Sequence, residues 1–209
     1  MMNNLKSVID LTHTIHPAMP TSPTDFGVRL QRIKNRTLHG YEDHLLTINM
    51  HSGTHMDLPG HFLNHDQTFA TLSLDKCIYQ ALKFTDKTSK VIPILKGMDA
   101  IKPGMAVVIA TGHDTQFNHP SYYQDYPVLS PSLITYLVEK EVSLIALDTP
   151  SPDTAPFDAH YQLFNHNVLI VENLKNALNL PDNQSFTLYA IPLNIDASGC
   201  PVRVFAKLT

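Results

Sequence analysis

The stretch HSGTHMDLPGHF, residues 51–62, decides how this chain reads. Together with its flanks it places His51, His55, Asp57, His61 and His65 within fifteen positions. Gly53 and Pro59 argue against a helix through it, because glycine admits a sharp reversal and proline lacks the amide a helix interior needs. The preceding HLLTINM (44–50) reads as a strand. His51, His55 and Asp57 are therefore expected at a strand end and in the tight turn after it, with His51 and His55 converging from the two sides of Gly53. This differs from H-E-x-x-H, in which one helix face aligns two ligands.

Two neutral imidazoles and a carboxylate suit a divalent ion such as Zn²⁺, Mn²⁺ or Fe²⁺. Three protein ligands leave positions open for water, the pattern of a catalytic and not a structural site. The two oxygens of Asp57 allow it to bridge two ions about 3.5–4 Å apart. A plainer reading of the same residues is a solvated, His-rich loop. On its own, His61 also reads as a core histidine bonded to backbone, and His65 as a surface residue.

Working outward, 209 residues fit one domain spanning 1–209, long enough to bury a core without disulfides or a structural metal. A metal here would serve chemistry. Lys and Arg are few and scattered, which excludes a nucleic-acid footprint. Cys77 and Cys200 form no C-x-x-C and no framework, so a reducing compartment is expected. MMNNLKSVIDLTHTIHP (1–17) is too polar for a signal peptide, and no run approaches the roughly 20 apolar residues of a membrane span. These features point to a cytoplasmic protein with no membrane and no nucleic-acid partner.

Short β-like runs dominate: 7–12, 28–33, 44–50, 77–84, 106–112, 143–148, 168–172, 186–193 and 201–208. AVVIATG (106–112) and SLIALD (143–148) read as strands buried on both faces. One helix is well marked, with Ser130 as cap, Pro131 in the first turn, and Leu133, Ile134, Leu137 and Val138 on one face. A second helical patch runs from Asp158 to Phe164, and NLKNAL (173–178) reads as a helical turn. The whole is a β-rich α/β domain with a mixed sheet and a few helices, without regular βαβ alternation.

Laid out as H-x-G-T-H-x-D-x-P-x-H-F, residues 51–62 resemble the signature of the cyclase family of metal-dependent hydrolases, which includes bacterial kynurenine formamidase and isatin hydrolase. The resemblance extends through VIDLTHTIHPAMPTSP, IKPGMAVVIATGHD, LIALDTPSPD, HYQLFNHNVLIVENLKNAL and ASGCPVRVFAKL. It implies a swivelling β/β/α fold and a homodimer or homotetramer. It also implies one or two divalent metals, Zn first and Mn second. By resemblance, His51, His55 and Asp57 hold the first metal, while Asp57, His160 and Glu172 hold the second. His61 is the general acid/base. Spacing alone does not select His160 or Glu172, which otherwise read as a helix-surface histidine and a strand-end carboxylate.

The resemblance implies hydrolysis of a small-molecule amide or carbonyl compound, such as an aryl formamide like N-formylkynurenine or a cyclic amide like isatin. One departure concerns the pocket. Formamidases of this family carry a Trp in the opening segment, whereas MPTSPTD here has Ser22 near that place and the chain has no Trp. Phe26, Tyr41 and Phe62 are the aromatic candidates to replace it. His113, in TGHD, stands where many relatives have an aromatic, and with Ser22 and Phe62 is a candidate substrate contact. The rival readings are a metal-dependent cyclase or dehydratase and a non-catalytic binder of metal or small molecule. A serine hydrolase lacks its G-x-S-x-G elbow. Cys200, just before a closing strand, reads as a buried structural thiol.

Overall fold

The two apolar runs expected to be doubly buried become the middle of the structure. The computed structural model describes residues 7–208, so the part of the signal-peptide reading that rests on residues 1–6 lies outside the described residues. Its strands are β1 (Val8–Asp10), β2 (Arg29–Lys34), β3 (Asp43–Thr47), β4 (His55–Asp57), β5 (Ile78–Thr85) and β6 (Val91–Ile92). They continue with β7 (Ala106–Ala110), β8 (Val128–Leu129), β9 (Leu144–Leu147), β10 (Leu169–Glu172), β11 (Phe186–Pro192) and β12 (Gly199–Leu208). The helices are α1 (Arg36–His39), α2 (Pro131–Glu139) and α3 (Asp158–Asn165).

The main sheet has the order β1-β12-β11-β5-β7-β9-β10-β4, and β4 pairs with β12 as well as β10, which closes the sheet on itself. β5, β7, β9 and β10 run parallel; the remaining pairings in this sheet are antiparallel. This is the β-rich mixed α/β fold expected from the pattern of runs.

Strand periodicity explains why the central runs are apolar throughout. Ala106, Val108 and Ala110 face the inside of the closed sheet, while Val107 and Ile109 face the helices. β9 repeats this with Leu144 and Ala146 inside and Ile145 and Leu147 outside. The inner layer is rich in alanine (Ala81, Ala106, Ala110, Ala146, Ala190, Ala206), as a narrow closed sheet requires. On the outer layer α2 packs Leu133, Ile134 and Leu137, and α3 packs Leu163 and Phe164. Val138 is only partly buried. Ser130 Oγ accepts the Leu133 amide at 3.1 Å, closing the start of α2 as its cap sequence predicts.

Two local expectations are corrected. Residues 173–178 do not form a helical turn. The Leu174 amide donates to the Leu147 carbonyl and the Lys175 amide to the Leu11 carbonyl, so the backbone is used in pairing across the chain, and only Ala177–Asn179 coil as a 3₁₀ turn. Nor does HLLTINM run as a strand into the cluster. β3 ends at Thr47 and among the described residues pairs with β2 alone, as a hairpin apart from the main sheet. The strand that carries His55 and Asp57 is β4, after the turn, because there the backbone finds a partner on both sides. No helix among the described residues is long and apolar enough to cross a membrane.

The tight inner layer sets a testable limit. Ala146→Leu should destabilise the protein by about 1–3 kcal/mol through overpacking, read as a lower urea midpoint with unchanged slope.

Candidate metal centre

β4 is three residues long and wholly buried. Met56 points into the inner core, so His55 and Asp57 share the opposite face. Across one edge His55 pairs with Glu172, and across the other Asp57 pairs with Gly199. Sheet closure thus brings the end of β10 and the start of β12 to the same spot. His51 enters from the turn before β4, where Gly53 adopts φ +65°. His160 enters from α3 and His61 from the 3₁₀ turn Pro59–His61.

The charged atoms crowd. Asp57 Oδ1 lies 2.7 Å from His51 Nδ1 and 3.6 Å from His55 Nε2. Glu172 lies 3.2 Å from His55 Nε2 through Oε2 and 3.4 Å from His160 Nε2 through Oε1. Yet His51 Nδ1, Asp57 Oδ1 and Glu172 Oε1 are buried without a hydrogen bond among the described residues. Close spacing with the wrong angles for hydrogen bonds suits atoms that point at a common cation, and the imidazole and carboxylate donors suit a divalent metal. In each of two sets the candidate ligand atoms lie within 4.8 Å of one another: His51, Asp57 and His61 in one, and His55, Asp57 and Glu172 in the other. These groupings differ from the expected ones, His61 standing in place of His55 in the first and His55 in place of His160 in the second. Asp57 is common to both.

The imidazoles of His55 and His160 are oriented from behind. His55 Nδ1 sits 2.8 Å from the Gly53 carbonyl, so it carries the ring proton and Nε2 is free to face the centre. His160 Nδ1 sits 2.7 Å from Asp153 Oδ1, which turns its Nε2 inward in the same way. Asp153 Oδ2 also accepts the amides of Ala159 (2.7 Å) and His160 (3.3 Å) at the start of α3. One carboxylate therefore fixes both the helix end and the ring.

Burial alone would lower the pKa of His55, but Asp57 and Glu172 override it and raise His55 to about 9. His160 is likewise raised to about 10, with Asp153 and Glu172 outweighing desolvation. Asp57 is held below the ordinary carboxylate range by His55 and His51 despite its burial. His61 goes the other way. Its residue is exposed, but its ring lies against His51 (centroids 3.9 Å apart) and Phe62 (4.6 Å). That desolvation lowers it to about 4, against the pull of Asp57. The reading of His61 as a core histidine does not fit this placement. His65 lies on the surface.

The cluster forms the floor of a cavity of about 660 Å³. Ser22 and Phe62 line it, whereas His113 does not. The His113 ring turns away, with Nε2 2.9 Å from the Tyr122 carbonyl and its face on the Tyr122 ring. Phe26 borders a different cavity, and Tyr41 is exposed outside this one. The aromatic wall consists of Phe62, Phe157, Tyr123 and Tyr126, and among the described residues no Lys or Arg lines the cavity.

Sequence reasoning passed over Asp153, Gly199 and three of these aromatics. Asp153 stood in LIALDTPSPD, five residues before the expected helix, where a carboxylate is a natural cap. Gly199 gave no signal. A Cβ there would lie 2.3 Å from His51 Cε1, so the imidazole occupies the space a side chain would fill.

The Cyclase family model matches residues 9–154, so His160 and Glu172 lie beyond the matched span. The kynurenine formamidases of Bacillus thuringiensis subsp. konkukian (strain 97-27) and Bacillus anthracis are each 31% identical over 177 residues, covering 78% of this chain and 78% of theirs. The fold is similar to that of isatin hydrolase A from Ralstonia solanacearum (TM-score 0.86, 21% identity, 97% of this chain and 92% of that one).

Two outcomes test the centre. Gly199→Ala should displace His51 and weaken metal binding by 10-fold or more, roughly the scale of losing a ligand's support, measured by competition with a chelating dye. The second is pH dependence. Without metal, the favourable contribution of His55 and His160 is complete below their ordinary 6.5 and is lost as pH rises towards 9 and 10. His61 opposes folding as pH falls from 6.5 through about 4. Stability of the metal-free protein should therefore peak near pH 6.5. Metal binding at pH 7 must expel the His55 and His160 protons, so affinity should rise with pH and calorimetry in buffers of different ionisation heat should detect proton release.

Proposed function

The chain belongs to the Cyclase family, and we propose that it hydrolyses an aryl formamide such as N-formylkynurenine or a cyclic amide such as isatin. It is a metal-dependent hydrolase of carbon–nitrogen bonds other than peptide bonds. The observation that carries the substrate reading is the buried Asp57 carboxylate, shared by two sets of ligand atoms at the floor of an aromatic cavity.

His51, His55, Asp57, His160 and Glu172 would hold one or two divalent ions, with Zn favoured by the imidazole donors and Mn admitted by the carboxylates. A divalent ion so held polarises a carbonyl and acidifies water. Asp153 and the Gly53 carbonyl keep His160 and His55 turned inward. Phe62 and Phe157, with ring centroids 5.4 Å apart, offer an apolar face to the substrate's aromatic ring and exclude water from it. His61 is neutral at pH 7, since its pKa is near 4, and so can accept a proton from the attacking water. Once protonated, it is acidic enough to pass that proton to the leaving nitrogen.

The whole chain acts as one domain and assembles as a homodimer or homotetramer. The β2–β3 hairpin supports this, since a two-stranded ribbon that exposes Leu30, Ile33, Leu45 and Leu46 is poorly stable alone. Cys77 and Cys200 are buried free thiols, consistent with a cytoplasmic location.

The test combines turnover of N-formylkynurenine and isatin with metal content measured on the same sample. Activity should vanish with EDTA and return with Zn²⁺ or Mn²⁺. His61→Ala should cut turnover by about 10²-fold or more while keeping its metal; equal loss of metal and turnover would remove His61 from the acid/base role. Metal-loaded protein inactive on both compounds would reject these substrates.

A further inference from the structure

Most polar side chains that line the cavity outside the ligand cluster are already engaged within the protein. Tyr126 Oη donates to the Asp153 carbonyl at 2.9 Å, and Ser151 Oγ lies 3.5 Å from Asp153 Oδ1. Ser22 and Thr24 share a hydrogen bond at 3.2 Å, and Asn49 Nδ2 donates to the Phe26 carbonyl at 3.4 Å. The Asn173 side chain accepts from Tyr122 Oη at 2.8 Å. Tyr123 differs. It lines the same cavity, yet its Oη is buried with no hydrogen-bond partner among the described residues.

A buried hydroxyl without a partner costs stability, and proteins keep such groups where something else completes them. The ring is held firmly, packed at 90° on Tyr122 with centroids 5.1 Å apart. Tyr122 is itself fixed by Asn173 and by the rings of Phe117 and His113. A phenol so placed is a preorganised group, and an amide substrate brings a carbonyl acceptor. We infer that Tyr123 donates a hydrogen bond to a carbonyl oxygen of the bound substrate. Burial, with the charges of Glu172 and Asp25, raises the phenol's pKa well above its usual value, so it stays a donor throughout the working pH range. This inference rests on the amide-hydrolase reading above and adds a substrate contact outside the ligand cluster.

The test uses two neutral rings of similar shape, oxindole with a lactam carbonyl and indoline without one, whose binding to the metal-loaded full chain is measured by calorimetry. Wild type should prefer oxindole. Tyr123→Phe should narrow that preference roughly fivefold, leave indoline affinity and metal content unchanged, and keep or raise the melting temperature, because it removes an unsatisfied hydroxyl. An unchanged preference in Tyr123→Phe overturns the inference, as does a drop in melting temperature with equal weakening of both rings, which would mark a structural role. Wild type that binds neither ring would overturn the aryl-amide reading itself, and this contact with it.

Discussion

Asp57 is a carboxylate placed where the sheet closes, between β10 and β12, and it is 1% exposed. Removing a charge from water is costly unless other charges and hydrogen bonds replace the solvent. Much of the surrounding structure answers that requirement. His51 and His55 reach it from either side of the Gly53 turn, while Glu172, on the neighbouring strand, adds a second negative charge that faces His55 and His160, the latter held by Asp153. Among the described residues, three buried polar atoms of the cluster stay without a hydrogen bond, and a divalent ion held there would supply the missing positive charge.

The site depends on the same period-two alternation that builds the core. In β4 the middle residue, Met56, enters the alanine-lined interior while its neighbours turn to the cavity. In β10, Leu169 and Val171 face inward, and Glu172 comes at the strand end beside His55. The outer layer has a comparable role. α3 packs on the sheet through Leu163 and Phe164, and that docking delivers His160 from the helix's first turn. Chemistry and packing are thus carried by alternate residues of the same short elements.

The candidate ligands His51, His55 and Asp57 were legible because they stand close in sequence around a glycine, and their donor types suit a divalent metal. The central strands were legible because burial on both faces leaves an unbroken apolar run. His160 and Glu172 were visible only through family resemblance, since the closing of the sheet makes them neighbours of β4 across more than a hundred residues of chain. Asp153 was hidden because its two bonds, to a helix end and to a ring, exist only once α3 is docked. The aromatic wall was hidden for a related reason, because Tyr123, Tyr126 and Phe157 lie on irregular segments without a period to read. The helical turn expected at 173–178 failed because long-range backbone pairs to Leu147 and Leu11 outcompete local coiling.

The closing strand also has a bearing on folding fidelity. Three residues offer few ladder bonds to set an alignment, and because side chains alternate, a one-residue slip would turn each of them to the other face. Here such a slip would push His55 and Asp57 into the alanine-lined interior and turn Met56 out among the imidazoles. The cost of burying two polar groups in hydrocarbon makes that arrangement untenable. His55 and Asp57 therefore act as a clasp that admits one alignment, and the seam of the barrel inherits its accuracy from the polar residues of the candidate site.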